Sequence, residues 1–318
     1  MVENFTFLLL FLEYCPMMDY WMGNILSILR NEEVNSMIID FHTHYFPDNV
    51  APKVLPKLAG KSCTMPFTDG TLGGLIRSMQ KSGVTHSVTL PVATTMEQTG
   101  SINDKIIACM EDLTQNGIIP FGGMHPDFAD YKRELKRLKD AGVKGIKIHP
   151  ANQNVDFDDI RYKRILSAAN ELDMIVLTHA GIDIGIYHHN FTSVRQIENV
   201  LNDVAPARLI LAHMGNWGLW EEFEANLAGA PLLLDTAFSI GPIIPYPGAA
   251  SHEYSTCTLA DEDFLRISHK HGMDKILFAT DSPWQDQTAY LERFKSIGLS
   301  EKEQAQLFFE NAKNLLSL

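Results

Sequence analysis

Histidines and carboxylates recur where short apolar runs end: Asp40, His42 and His44 in "IIDFHTHYF", His125, Lys147 and His149 in "KIHP", His179 in "THAG", His213 in "AHMG", Asp235, and Asp281 in "FATDSPW". Neutral imidazole and carboxylate suit zinc, iron or manganese, and histidines with one aspartate and an open position make a hydrolytic rather than a structural metal site. Side chains at i and i+2 of a strand share a face, so His42 and His44 can point to one place, as can Lys147 and His149. Any one of these histidines, taken alone, is more often a satisfied polar residue than a ligand. The set is poorly explained by chance. His42 and His44 are expected ligands because His179 and Asp281 can reach the same point from other strands. His86 reads as an early-strand residue, and His269 and His271 as a helix surface.

The elements that must position these residues alternate along the chain. Apolar runs at 37–41, 84–92, 118–124, 143–148, 174–180, 208–214, 231–237 and 275–281 have the length and composition of strands covered on both faces. Helical patterns fall between and after them, near 71–82, 101–116, 129–141, 158–172, 193–204, 217–228, 261–272 and 300–316. Ser193 with Gln196, and Ser300 with Glu303, match capping boxes. Eight β-then-α units predict an α/β fold of the (β/α)8 TIM-barrel type, whose active sites lie at the C-terminal ends of the strands. An open doubly wound sheet is the runner-up, disfavoured because no GxGxxG follows the first strand. The connections 45–70 and 238–260 are long, as loops overhanging a catalytic mouth would be.

Composition narrows the partners. The 318 residues carry a formal charge of −13 with scattered Lys and Arg, which argues against nucleic acid or anionic lipid and for a small-molecule substrate. Four separated cysteines suggest neither a disulfide framework nor a thiolate zinc site, and a reducing compartment fits. "FTFLLLFL" (5–12) is too short to span a bilayer and lacks the flanks of a signal peptide, so a cytoplasmic protein is expected. Residues 1–36 show no sustained period and read as an extension, with the barrel domain over 37–318. A homodimer is the common expectation for such an enzyme.

The motifs "DFHTH", "KIHP", "THAG", "AHMG" and "FATDSPW", in this order, resemble the amidohydrolase superfamily, and in particular its amidohydrolase-2 branch of metal-dependent hydrolases and decarboxylases. The likeness runs over about 37–316. It implies that His42, His44, His179 and Asp281 hold a divalent ion, zinc by expectation. It further implies that His213 polarises substrate or shuttles a proton in one-metal members and binds a second metal in two-metal members. Lys147 lies near the position at which some members carbamylate a lysine to bridge two metals; one ion is the favoured reading, with Lys147 or His149 facing substrate. A TatD-type nuclease shares HxH but not the "GEIGLD" glutamate.

The expected reaction is hydrolysis of an amide, lactone or ester by hydroxide generated at the metal, with Asp281 relaying the proton and His213 assisting. A nonoxidative decarboxylase of an aryl or dienoic acid is the alternative, set back because such relatives often read "DYP" where this chain reads "TDSPW". A catalytically dead barrel is a third reading, weakened by the cost of burying so many polar groups without a ligand. Tyr187, His188, Trp217 and Trp284 are candidate pocket residues, with His189 and Gln285 beside them. Asp40 and Asp235 are expected to support ligand histidines.

Overall fold

The computed structural model describes residues 37–318; the extension read over 1–36 lies outside the described residues. Nine parallel strand segments run in sequence order: β1 (Ile39–Thr43), β2 (His86–Thr89), β3 (Ile118–Pro120), β4 (Gly122–Gly123), β5 (Gly145–Ile148), β6 (Ile175–Thr178), β7 (Leu209–Leu211), β8 (Leu233–Asp235) and β9 (Ile276–Leu277). The segments β3 and β4 are two halves of one apolar run, so all eight runs read from the sequence are strands. Each pairs in parallel with the next on either side of that break. Parallel pairing is possible because a helical crossover follows each strand and covers the sheet's outer face.

The cylinder closes by hydrogen bonds at both places where regular pairing stops. Beyond β9 the chain donates and accepts across to β1: Phe41 N–H to Phe278 O at 2.8 Å, Asp281 N–H to His42 O at 2.8 Å and His44 N–H to Ser282 O at 2.7 Å. Between β3 and β4, Phe121 N–H reaches Thr89 O at 3.0 Å, and the Asn103 side chain bonds both the N–H (2.9 Å) and the C=O (3.1 Å) of Gly123. A side-chain amide thus replaces a missing backbone partner. At Gly122 a Cβ would stand 2.6 Å from a methyl of Leu138 on the helix Tyr131–Asp140, so a larger residue there requires that side chain to shift.

The helices follow the expected pattern with three additions, one of them the single turn Pro150–Gln153 after β5. Ala51–Ser62 lies inside the first long connection, where Pro52, Pro56 and Gly60 mask a helical signal; Pro52 sits in the first turn, which tolerates it. Gln287–Ser296 follows β9; its N-cap Asp286 accepts from Ala289 N–H, and with alanine rather than Glu or Gln at that third position it carries no capping-box signature. Both capping boxes named above form, at Ser193 and Ser300. His271, read as a helix-surface residue, is instead buried: it accepts from Gly229 N–H at 3.1 Å and donates to Leu232 O at 3.0 Å, and burial lowers its pKa to about 4. Helical period places it on the inner face with Phe264, Ile267 and Ser268.

The two long connections cross the C-terminal ends of the strands and pair with each other. Thr64 bridges Pro245 in antiparallel fashion, Met65 N–H donates to Ile244 O at 2.7 Å, Tyr246 N–H to Cys63 O at 3.0 Å and Cys63 Sγ to Ala250 O at 2.8 Å. Among the described residues, no helix is long and apolar enough to cross a membrane.

Candidate metal centre

His42 and His44 leave β1 on one face, and their Nε2 atoms stand 3.1 Å apart. Asp281, from the segment after β9, brings Oδ1 to 3.0 Å from His44 Nε2 and 3.5 Å from His42 Nε2. The other nitrogen of each ring is committed. His44 Nδ1–H donates to Leu90 O at 2.7 Å, and His42 Nδ1–H donates to Asp235 Oδ2 at 2.8 Å. These partners fix the tautomers, because a carbonyl or carboxylate oxygen can only accept. Burial, then Lys147, His44, His213 and His179, press the His42 pKa well below its ordinary value, which keeps the ring neutral. Two imidazole lone pairs and a carboxylate oxygen therefore face one point. Their mutual separations match those of atoms each bonded at about 2.0–2.2 Å to one ion. Without a cation, such a convergence is repulsive; the donor set fits a divalent metal.

The support around these atoms is dense. Asp235, fully buried, accepts from His42 with one oxygen, and with the other from His213 N–H at 2.9 Å and Ala237 N–H at 3.1 Å. Burial raises its pKa to about 7 against the lowering pull of those bonds and of Lys147. Asp40 contacts no ligand ring. It accepts from His42 N–H (3.2 Å), Thr280 N–H (3.0 Å), Thr280 Oγ1 (2.6 Å) and Gln287 Nε2 (2.8 Å), binding β1 to the chain leading into Asp281. Burial raises its pKa to about 6. Asp281 and His213 both adopt left-handed backbone, with φ of 67° and 60°. For residues other than glycine this costs about 1–3 kcal/mol and persists only where neighbours over-determine it, as at functional sites.

His213 Nε2 belongs to the same cluster, able to share an ion with His42 and Asp281. Its Nδ1–H donates to Ala237 O at 2.8 Å, leaving an Nε2 lone pair 3.0 Å from His179 Nδ1. Burial lowers the His213 pKa to about 4. His179, expected as a ligand with these residues, has Nδ1 3.0 Å from His213 Nε2; it also lies near His149 and Asp183, and its ring is parallel to that of His149 at 4.5 Å. Lys147, on β5 and 1% exposed, has Nζ 3.3 Å from His42 Nε2, and burial pushes its pKa down to about 8.

The candidate pocket residues divide. Tyr187 is exposed and stacks on His252 at 4.6 Å, joining the loop after β6 to the loop after β8. His188 is exposed beside Phe191, and His189 pairs with Asp156. Trp217 is buried, donates Nε1–H to Phe238 O and packs on Trp220 and Phe238. Trp284 is half-buried against the core, and Gln285 is buried near Pro242. His125 accepts from Asp127 N–H within its own turn. Asp183 escaped the sequence reading; its one signal is its place four residues after His179. Gly181 sets that loop, with φ of 87° and a hypothetical Cβ 2.0 Å from Trp217 N.

Comparison with known proteins fits this geometry. A family model described as Amidohydrolase matches residues 39–318. No curated protein matches the sequence. An uncharacterised TIM-barrel protein from Bordetella bronchiseptica superposes with a TM-score of 0.66 at 17% identity, covering 88% of this chain and 98% of its own. A dihydroxybenzoic acid decarboxylase from Polaromonas sp. JS666, with bound manganese and the inhibitor 2-nitroresorcinol, gives 0.63 at 14% identity, covering 88% and 96%. A provisionally named 2-pyrone-4,6-dicarboxylic acid hydrolase from Pseudomonas putida gives 0.58 at 16% identity, covering 88% and 97%. The closed cylinder is therefore a (β/α)8 barrel, and the chain belongs to the amidohydrolase family, an enzyme of the metal-dependent amidohydrolase superfamily.

Proposed function

We propose that this protein is a metal-dependent hydrolase acting on an amide, lactone or ester bond of a small molecule. The observation that carries the reading is the meeting of three donor atoms, His42 Nε2, His44 Nε2 and Asp281 Oδ1, within 3.0–3.5 Å of one another. These residues would hold one divalent ion, zinc or manganese, which when bound supplies Lewis-acid polarisation and acidifies water to a pKa of about 7. Asp281 accepts the proton of the attacking water and returns it to the leaving group. His213, held as the Nδ1–H tautomer, serves as a proton acceptor rather than as a donor to an oxyanion. Lys147, the buried cation beside His42, offers a point charge to a substrate carboxylate. We assign the catalytic domain to residues 37–318.

A second reading, nonoxidative decarboxylation, is supported by the manganese-bearing decarboxylase of similar fold. Turnover of a panel of aryl acids, dienoic acids and lactones in 18O-water, with metal-loaded protein, tests both. Incorporation of 18O into product supports hydrolysis; release of carbon dioxide without it assigns the decarboxylase.

A further inference from the structure

We propose that Asp183 is the positioning residue for His179, keeping the proton on His179 Nε2 so that the Nδ1 lone pair is free to join His42, His44 and Asp281 on the metal. This rests on the ligand set of the proposed function and adds to it a fourth imidazole with its carboxylate. His42, His44 and His213 each have an oxygen behind them: Asp235 Oδ2, Leu90 O and Ala237 O. His179 has none. It is 7% exposed, its Nε2 is buried without a hydrogen-bond partner, and its Nδ1 stands 3.0 Å from the His213 Nε2 lone pair. Ligand histidines commonly donate their second N–H to a carboxylate, a carbonyl or water, because that bond fixes both ring and tautomer.

Asp183 is the carboxylate within range. His149, His179 and Asp183 each bring one nitrogen or oxygen to within 4.8 Å of the other two. Asp183 follows Gly181, whose φ of 87° turns the loop, and its Oδ1 accepts from Gly185 N–H at 2.8 Å, which anchors the carboxylate and leaves Oδ2 for the histidines. His149 shows the sense of the local field. Its Nδ1 accepts from Asn152 N–H at 3.4 Å, so its proton is on Nε2, 3.6 Å from Asp183 Oδ2. The His179 ring lies parallel to that of His149, with centroids 4.5 Å apart and planes within 10°. A proton on His179 Nε2 supplies a second donor for the carboxylate. A proton on Nδ1 would instead leave a buried lone pair in a cluster that already holds an anion, and an unmatched group of that kind costs about 1–3 kcal/mol. The lone pairs of His179 Nδ1 and His213 Nε2 then meet at 3.0 Å, an arrangement that is repulsive until a cation binds.

The test uses the full chain, 15N-labelled, stripped with chelator and titrated with Zn2+. Long-range 1H–15N spectra report which ring nitrogen is protonated, and the His179 signals are assigned by their loss in His179→Gln. Zinc-loaded wild type is expected to carry the His179 proton on Nε2 and none on Nδ1. Asp183→Asn keeps the Gly185 bond through its amide oxygen and offers the histidines an NH2 group, so the Nε2 proton should be lost and zinc affinity in calorimetry should fall roughly 10–100-fold. Thermal melts of the stripped variants establish that each is folded. A His179 proton on Nδ1 in zinc-loaded wild type overturns the proposal, as does a loss of affinity below about tenfold in Asp183→Asn. His42→Ala separates the two readings. Zinc bound by that variant at wild-type affinity refutes the ligand set of the proposed function, whereas loss of zinc there together with either overturning result strikes the role of Asp183 alone.

Discussion

The two sides of the barrel mouth are built on different terms. On the β1 and β9 side, His42 and His44 each have one nitrogen bonded to oxygen, and Asp40 and Asp235 together accept seven hydrogen bonds from the strands and turns around them. On the β5 and β6 side, His179 has a bare buried nitrogen and Asp183 a carboxylate oxygen with no close donor at His149. The first side is braced from behind by oxygen acceptors. The second leaves His179 Nε2 without a partner. Preorganisation of this kind spares a reacting centre the cost of reordering at the moment of reaction, whereas an incomplete cluster stores a desolvation penalty that binding releases.

Breaking the rigid side should have the largest effect. Asp281→Asn removes the charge and the proton acceptor while keeping shape, and turnover should fall by ~10²–10⁴-fold with the fold intact by circular dichroism. A variant within tenfold of wild type would remove Asp281 from the proton path. Asp40→Ala touches no ligand ring yet strips the acceptor from Thr280, Gln287 and His42 N–H, and chemical denaturation should show a loss of about 2–4 kcal/mol. Unchanged stability would mean that the seam between β1 and the Asp281 segment is held elsewhere.

Subtler changes sharpen the contrast. Asp235→Asn keeps a hydrogen-bonding group at His42 Nδ1 but not the charge, so affinity for the ion should drop by roughly 10–100-fold in calorimetry. Equal affinity would show that orientation alone, without the carboxylate, prepares His42. The smallest effect concerns His271, far along the chain and satisfied at both nitrogens, a buried histidine of the finished kind. Its folded pKa of about 4 lies below the ordinary value of 6.5. The unfolded chain therefore takes up a proton that the folded chain refuses, and stability present above pH 6.5 declines as pH falls toward 4. Melting of wild type against His271→Gln across that window should show about 2 kcal/mol more loss in wild type; parallel curves would remove His271 as a source of acid sensitivity.

The strands were legible because burial on both faces of a parallel sheet demands unbroken apolar runs, and each of the eight runs is a strand. The helix Ala51–Ser62 was not, since local proline and glycine signals argue against a helix that tertiary packing nonetheless stabilises through Ala51, Leu55 and Ala59. The meeting of His42, His44 and Asp281 within 3.0–3.5 Å was foreseeable from their position at strand ends, where a barrel gathers side chains. Asp183 was not, because a carboxylate in a loop has no periodic signature.

What the linear sequence determined is which residue types arrive at the C-terminal rim and in what order, since two-residue periodicity and strand length are local properties of the backbone. Only the folded molecule decided how they group. The hydrogen bonds that select each imidazole's tautomer are accepted by Ala237, Asp235 and Leu90, at the ends of other strands. Those contacts, formed across up to 193 residues of chain, turn His42 and His44 toward Asp281.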